Sequence, residues 1–304
     1  MGKLQNLISI HDLDRETIDL ILRTAEGMEK AAIERSQDLR SKIMAALFFE
    51  ASTRTRLSFE SAMLRLGGSV LGFADVTTTS AGVKGETLAD TIRTVERYAD
   101  IIVIRHPLDG SARVAAEFAE IPVINAGSGA EEHPTQALLD LYSIKKQKGT
   151  IDGLSISLCG DLRYGRTVHS LGIALGYYDV SITLAAPPSL RMQPAIVNVM
   201  KNAGIKVEEV DTVDDAVATA DVVYMTRIQK ERFPDVREYT AVQGKFRIGS
   251  EEVAKMKDDA IILHPLPRVD ELDAAVDSTP QAKYFDQVYN GVITRMAILK
   301  LMLG

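Results

Sequence analysis

Cysteine is nearly missing: 304 residues contain one, Cys159. No intrachain disulfide can form, and a reducing compartment is the expectation. No apolar run approaches the length of a membrane span, and the opening Met1 to Asn6 has no apolar signal core. A cytoplasmic protein without a membrane partner is therefore expected. Positive charge is in deficit as well. Lys and Arg number 35 against 42 Asp and Glu, for a net charge of −7 and a pI near 5.4. That balance argues against a nucleic-acid partner, which needs a basic footprint. Internal repeats and low-complexity stretches are absent, which disfavours a solenoid. His11, His106, His133, His169 and His264 show no HExxH or Cys/His pairing, so no metal site is expected. There is no Gly-x-Ser-x-Gly and no Walker lysine, and no cofactor is expected.

What remains is an ordinary globular composition, 46% hydrophobic and 25% charged, in a chain long enough for two domains. Strand-like runs alternate with helical stretches. Ile18, Ile21, Leu22 and Ala25 recur at helical spacing and predict a helix over Arg15 to Lys30. The apolar run Ile43 to Phe49 predicts a buried strand, followed by a helix from near Arg56 that stops at Gly67-Gly68. Further strands are expected at Ile101–Ile104, Pro122–Ile124, Leu154–Cys159, Val180–Ala185, Ile205–Glu209, Val222–Met225 and Ala260–Leu263, with a last helix from about Val292 to Leu303. The basic stretch Lys145 to Thr150 reads as a helix end and a domain boundary. Alternating β and α units imply an α/β fold of two parallel-sheet layers flanked by helices. Ligands bind such sheets beyond the carboxyl ends of the strands.

The chemistry-bearing residues cluster at those ends. Ser52-Thr53-Arg54-Thr55-Arg56 lies in a strand-to-helix turn, where free N–H groups and the helix dipole favour an anion. Hydroxyls and an Arg fork there suit phosphate oxygens, and a capped helix start with solvated arginines is the plainer alternative. Arg105 follows another strand and by itself reads as a surface residue. In His133-Pro134-Thr135-Gln136, Pro134 suits the first helical position, while His133 and Gln136 could grip a carbonyl and an amino group or merely cap the helix. Gly160 and Gly165 are five apart, so the segment after Cys159 lacks the Gly-x-Gly-x-x-Gly of a dinucleotide turn and weakens a dehydrogenase reading. Arg166 suits a carboxylate, and Arg227 with Gln229 offers a second fork and an amide. The two prolines of His264-Pro265-Leu266-Pro267-Arg268 stiffen a loop whose carbonyls could hold an –NH2 group, or which simply connects domains.

Together these residues resemble the catalytic chains of the aspartate carbamoyltransferase family, within the aspartate/ornithine carbamoyltransferase superfamily. Phe48 to Thr55 resembles the superfamily's phosphate signature, and the His133 and His264 motifs follow in the family's order. Gly165 to Ser170 and Met225 to Gln229 resemble the aspartate type, whereas an ornithine-type His-Cys-Leu-Pro loop is replaced by His264-Pro265-Leu266-Pro267. The resemblance implies two domains linked by interdomain helices: 1–134 plus 286–304 binding carbamoyl phosphate, a linking helix at 135–149, and 150–285 binding aspartate. It implies that Ser52, Thr53, Arg54, Thr55 and Arg105 bind phosphate, and that Thr55, Arg105 and His133 polarise the carbonyl. Gln136 and the Leu266 carbonyl would hold the carbamoyl –NH2, and Arg166, Arg227 and Gln229 the aspartate carboxylates. Ser80 and Lys84, in a loop otherwise read as solvated surface, would enter from a neighbouring subunit of a homotrimer. Glu50 and the segment Arg232–Phe246 resemble elements that bridge domains on closure. Some relatives join two trimers through regulatory chains. The implied reaction carbamoylates L-aspartate in pyrimidine biosynthesis. A carbamoyltransferase for ornithine or another acceptor, and a catalytically silent binding subunit, are the competing readings.

Overall fold

A computed structural model describes residues 4–34, 36–129, 131–228, 237, 239–240, 244 and 246–304. The chain divides into two compact units, Met1–Tyr142 with Tyr289–Gly304, and Ser143–Val288. Each is built on one parallel sheet flanked by helices, the α/β architecture expected from the alternating pattern.

The first unit holds strands β1 (Ile43–Phe48), β2 (Ser69–Phe73), β3 (Ile101–His106) and β4 (Val123–Ser128), in the order β2-β1-β3-β4. β1, β3 and β4 are almost continuously buried, as a sheet covered on both faces requires. Ala45, Leu47, Ile102, Ile104 and Val123 pack in one cluster with Ile92, Ala112 and Ala115 from the covering helices. The outer edge of β4 is capped by the N-terminal segment: Leu7 N–H donates to the Val123 carbonyl at 2.9 Å, and Asn125 N–H donates to the Leu7 carbonyl at 2.8 Å. β2 was not legible as a strand. Its residues Ser69-Val70-Leu71-Gly72-Phe73 are half exposed and lack a sustained apolar run, because an edge strand needs only one partner.

The second unit holds β5 (Ser155–Cys159), β6 (Ser181–Ala185), β7 (Lys206–Val210), β8 (Val222–Met225) and β9 (Ile261–Leu263), in the order β7-β6-β5-β8-β9. β7 carries Lys206, Glu208 and Glu209, charges that discourage pairing with another chain at its open edge. β5 lies centrally and is paired on both sides, to β6 and β8.

Helix α1 spans Arg15–Glu34, α2 Thr53–Arg65, α3 Ser80–Lys84, α4 Leu88–Val95, α5 Ser111–Phe118, α6 Pro134–Lys148 and α7 Arg166–Leu175. α6 starts at Pro134, as its fixed φ favours, and ends at the basic stretch that marked a helix end in the sequence. α3 replaces the loop expected around Ser80 and Lys84. Thr79 caps it by accepting from Gly82 N–H, and Gly85 closes it at φ 73°. The C-terminal helix runs over Tyr284–Leu303 and thus begins well before Val292, since its first turns mix polar and apolar residues. Among the described residues, no helix is long and apolar enough to cross a membrane.

Candidate functional site

Three adjacent strands of the first unit deliver the expected phosphate and carbonyl ligands. β1 pairs with β3 so that Phe48 faces Arg105, and Phe49 N–H donates to the Arg105 carbonyl at 2.8 Å. β3 pairs with β4, which brings His106 beside Ser128. The residues that follow β1, end β3 and follow β4 are therefore neighbours at one sheet edge. Ser52 is the N-cap of α2, and Thr53, Arg54 and Thr55 form its first turn. Ser52 makes no side-chain capping bond, so capping does not account for its hydroxyl. Arg54 and Thr53 are exposed, whereas Thr55 is buried. Arg56 turns along its own helix, with Nη1 3.3 Å from Glu60 Oε1.

Thr55 Oγ1 lies 3.4 Å from His133 Nε2, joining the β1 and β4 contributions directly. His133 is only 4% exposed. Arg105 carries Glu50 at 3.0 Å from its Nε, and its Nη1 lies 3.4 Å from the Ala126 carbonyl oxygen. Any anion bound at this guanidinium would share it with Glu50. His106, beside Arg105, is kept below the ordinary imidazole range by burial, with the Glu50 charge acting the other way. Its Nδ1 accepts from Leu108 N–H at 3.1 Å, an arrangement that shapes the turn after β3.

Gln136 sits in the first turn of α6, its N–H donating to the His133 carbonyl at 2.9 Å and its Nε2 to Asp140 Oδ1 at 2.9 Å. Ser80 and Lys84 are exposed at the two ends of α3, after β2, on the far side of β1 from β3. The structure of one chain does not bring them to the Thr55–His133 cluster by strand adjacency.

The second unit repeats the logic. Cys159 faces Met225 across β5 and β8, so the segments carrying Arg166 and Arg227 leave adjacent strand ends. Thr226 ties them together: its hydroxyl donates to the Cys159 carbonyl at 3.1 Å and accepts from Asp161 N–H at 3.0 Å. Gly160 makes this approach feasible. It has φ +107°, and a Cβ there would meet the Thr226 carbonyl oxygen at 2.3 Å. Arg166 opens α7, and both it and Arg227 are half-buried. His169 donates from Nε2 to the Leu162 carbonyl at 2.8 Å, pinning the loop ahead of Arg166. Gln229, the third expected aspartate ligand, lies outside the described residues, as does most of the segment 232–246.

Leu266 follows β9 with φ +50°, a conformation that a residue with a Cβ seldom adopts. A buried acid–base pair holds it there. His264 Nδ1 accepts Leu266 N–H at 2.8 Å, which leaves the ring proton on Nε2, donated to Glu271 Oε1 at 2.7 Å. Burial opposes the charge on Glu271 most strongly. Hydrogen bonds from His264 and from backbone N–H groups outweigh it and hold the carboxyl below its usual range.

Sequence reasoning missed the supporting acids, Glu271 and Asp140, and the buried Arg295. A signal existed for the last two: Asp140 stands one turn after Gln136, and Arg295 interrupts the apolar run Val292 to Leu299. Among the described residues, no group of three His, Cys, Asp or Glu side chains could hold a metal ion.

Comparison with known proteins bears on all of this. Residues 5–146 match the family model described as aspartate/ornithine carbamoyltransferase, carbamoyl-P binding domain, and residues 152–302 the one described as the Asp/Orn binding domain. An aspartate carbamoyltransferase catalytic subunit from Thermococcus kodakarensis is 55% identical, over 99% of this chain and 98% of that protein. The solved catalytic subunit of M. jannaschii aspartate transcarbamoylase superposes with a TM-score of 0.91 at 49% identity, covering 98% of this chain and 97% of that one. Aspartate transcarbamoylase from Trypanosoma cruzi, solved with carbamoyl phosphate and aspartate, gives a TM-score of 0.92 at 38% identity, covering 99% and 96%.

Proposed function

This chain belongs to the aspartate/ornithine carbamoyltransferase family, and from that premise we propose that it transfers the carbamoyl group of carbamoyl phosphate to the amine of L-aspartate. The products are N-carbamoyl-L-aspartate and phosphate. The observation that carries the choice of acceptor is similarity along nearly the whole chain to aspartate-type catalytic subunits. Arg166 and Arg227 on adjacent strand ends support it, because aspartate offers two carboxylates where ornithine offers one and a cation.

In the reaction, the neutral amine of aspartate attacks the carbamoyl carbon. An N–C bond forms, the C=O becomes an oxyanion, and the C–O bond to phosphorus then breaks, with phosphate carrying away the amine proton. Ser52, Thr53, Arg54, Thr55 and Arg105 hold the phosphate, and Arg54 stabilises the charge that builds on it as it leaves. Thr55, Arg105 and His133 donate to the oxyanion; the Thr55–His133 approach and the Arg105 strand position place all three at one sheet edge. Gln136 and the Leu266 carbonyl take the carbamoyl –NH2. Arg166, Arg227 and Gln229 take the aspartate carboxylates.

Ser80 and Lys84 complete the site from a neighbouring subunit of a homotrimer, a role suited to exposed side chains at both ends of a short capped helix. The step belongs to pyrimidine biosynthesis, and the single cysteine, buried Cys159, suits a cytoplasmic setting. Purified protein given carbamoyl phosphate and aspartate should release phosphate and N-carbamoyl-L-aspartate in equal amounts. Phosphate release with no carbamoylated product would refute the transfer.

A further inference from the structure

Behind the phosphate-side residues of the first unit lies a pair of ions that the proposed reaction does not use directly. Asp140 is fully buried and Arg295 is 3% exposed. Arg295 packs over the Phe59 ring with its guanidinium carbon 4.9 Å from the centroid, and Nη2 reaches Thr135 Oγ1 at 3.5 Å. Burial works against the Arg295 cation, and the Asp140 charge works for it. Burying two ions is costly, and hydrophobic residues of similar volume often serve stability as well. The pair therefore invites a role beyond packing.

Its outlet is Gln136. A carboxylate can only accept hydrogen bonds, so the end of the Gln136 amide that meets Asp140 at 2.9 Å must be the –NH2. The i, i+4 spacing on α6 makes that contact local and permanent. With the –NH2 end turned to Asp140, the amide oxygen is the acceptor that Gln136 offers a substrate, and an oxygen can accept from an –NH2 but gains nothing from a methyl group. We propose that Asp140, backed by Arg295, is a positioning residue that fixes the orientation of the Gln136 amide, and that this orientation selects carbamoyl phosphate over acetyl phosphate. The inference rests on Gln136 binding the carbamoyl –NH2 as proposed above.

The test compares two substrates that differ only there. Asn at position 140 can donate or accept, so Asp140→Asn no longer dictates the flip. In steady-state assays with aspartate, the KM for carbamoyl phosphate should rise roughly tenfold. The inhibition constants of acetyl phosphate and inorganic phosphate, measured as competitors, should stay within about twofold. Asp140→Asn leaves Arg295 buried without its counter-ion and could fail to fold. The double variant Asp140→Asn/Arg295→Met removes both charges and should show the same selective loss. Equal weakening of all three ligands, or no change in any, would overturn the proposal and leave the pair a packing feature. A wild-type chain that transfers carbamoyl groups yet binds acetyl phosphate as tightly as carbamoyl phosphate would also overturn it. A wild-type chain with no transfer at all would instead remove the functional reading beneath it.

Discussion

In the proposed reaction Arg54 meets a phosphate whose charge grows as it departs, whereas the carboxylates assigned to Arg227 are fully charged from the start. The two arginines should therefore fail differently. Arg54→Ala removes an interaction made chiefly in the transition state and should lower kcat by about 10²–10³-fold with little change in the aspartate KM. Arg227→Ala removes binding that ground state and transition state share, and should raise the aspartate KM about 10- to 100-fold with kcat much less affected. Steady-state kinetics on both variants checks the pair, and exchanged effects would contradict the assignment.

At the scale of an element, the loop from β5 to α7 is pinned by a buried imidazole. His169 is held below the usual imidazole value of 6.5, first by burial and against the effect of its bond to Leu162. His106 in the first unit is lowered likewise. Below about pH 6.5 the unfolded chain binds protons that the folded chain refuses, so stability falls as pH falls. Thermal melts should show Tm dropping between pH 7.5 and pH 5.5, and His169→Gln should flatten that slope. A Tm unchanged over this range, or a rise towards acid, would contradict the burial argument. Glu271 acts in a separate window: its lowered carboxyl contributes stability that is lost only at pH below its ordinary 4.5.

Several elements were legible through the apolar runs that burial imposes. β1, β3 and β8 announce themselves as apolar runs because both faces are covered. The edge strand β2 and the short helix α3 do not, since their residues answer to local turns and caps rather than to a core. The anion-binding turn at Ser52 to Thr55 could be read because a strand, a helix start and hydroxyl-bearing residues coincide there. Glu271 could not, because nothing in its own segment announces the buried His264 ring it accepts from, while Asp140 and Arg295 left only faint signals, one a turn after Gln136 and the other inside an apolar run.

For the whole molecule, the chain carries a net charge of −7, yet the proposed function assigns four arginines, Arg54, Arg105, Arg166 and Arg227, to anionic substrate groups. Two anionic substrates can share one site only where fixed positive charge offsets their repulsion. In the proposed function, Lys84 from a neighbouring subunit would add to that charge, so the proposal takes an assembled homotrimer as the competent unit. The central claim is that this machinery reads an acceptor with two carboxylates. It is tested most directly by offering the purified, assembled protein carbamoyl phosphate with equal concentrations of aspartate and ornithine, and identifying the carbamoylated product. The account predicts N-carbamoyl-L-aspartate with no citrulline. Citrulline as the main product would leave the fold and the phosphate site standing but contradict the roles given to Arg166, Arg227 and Gln229.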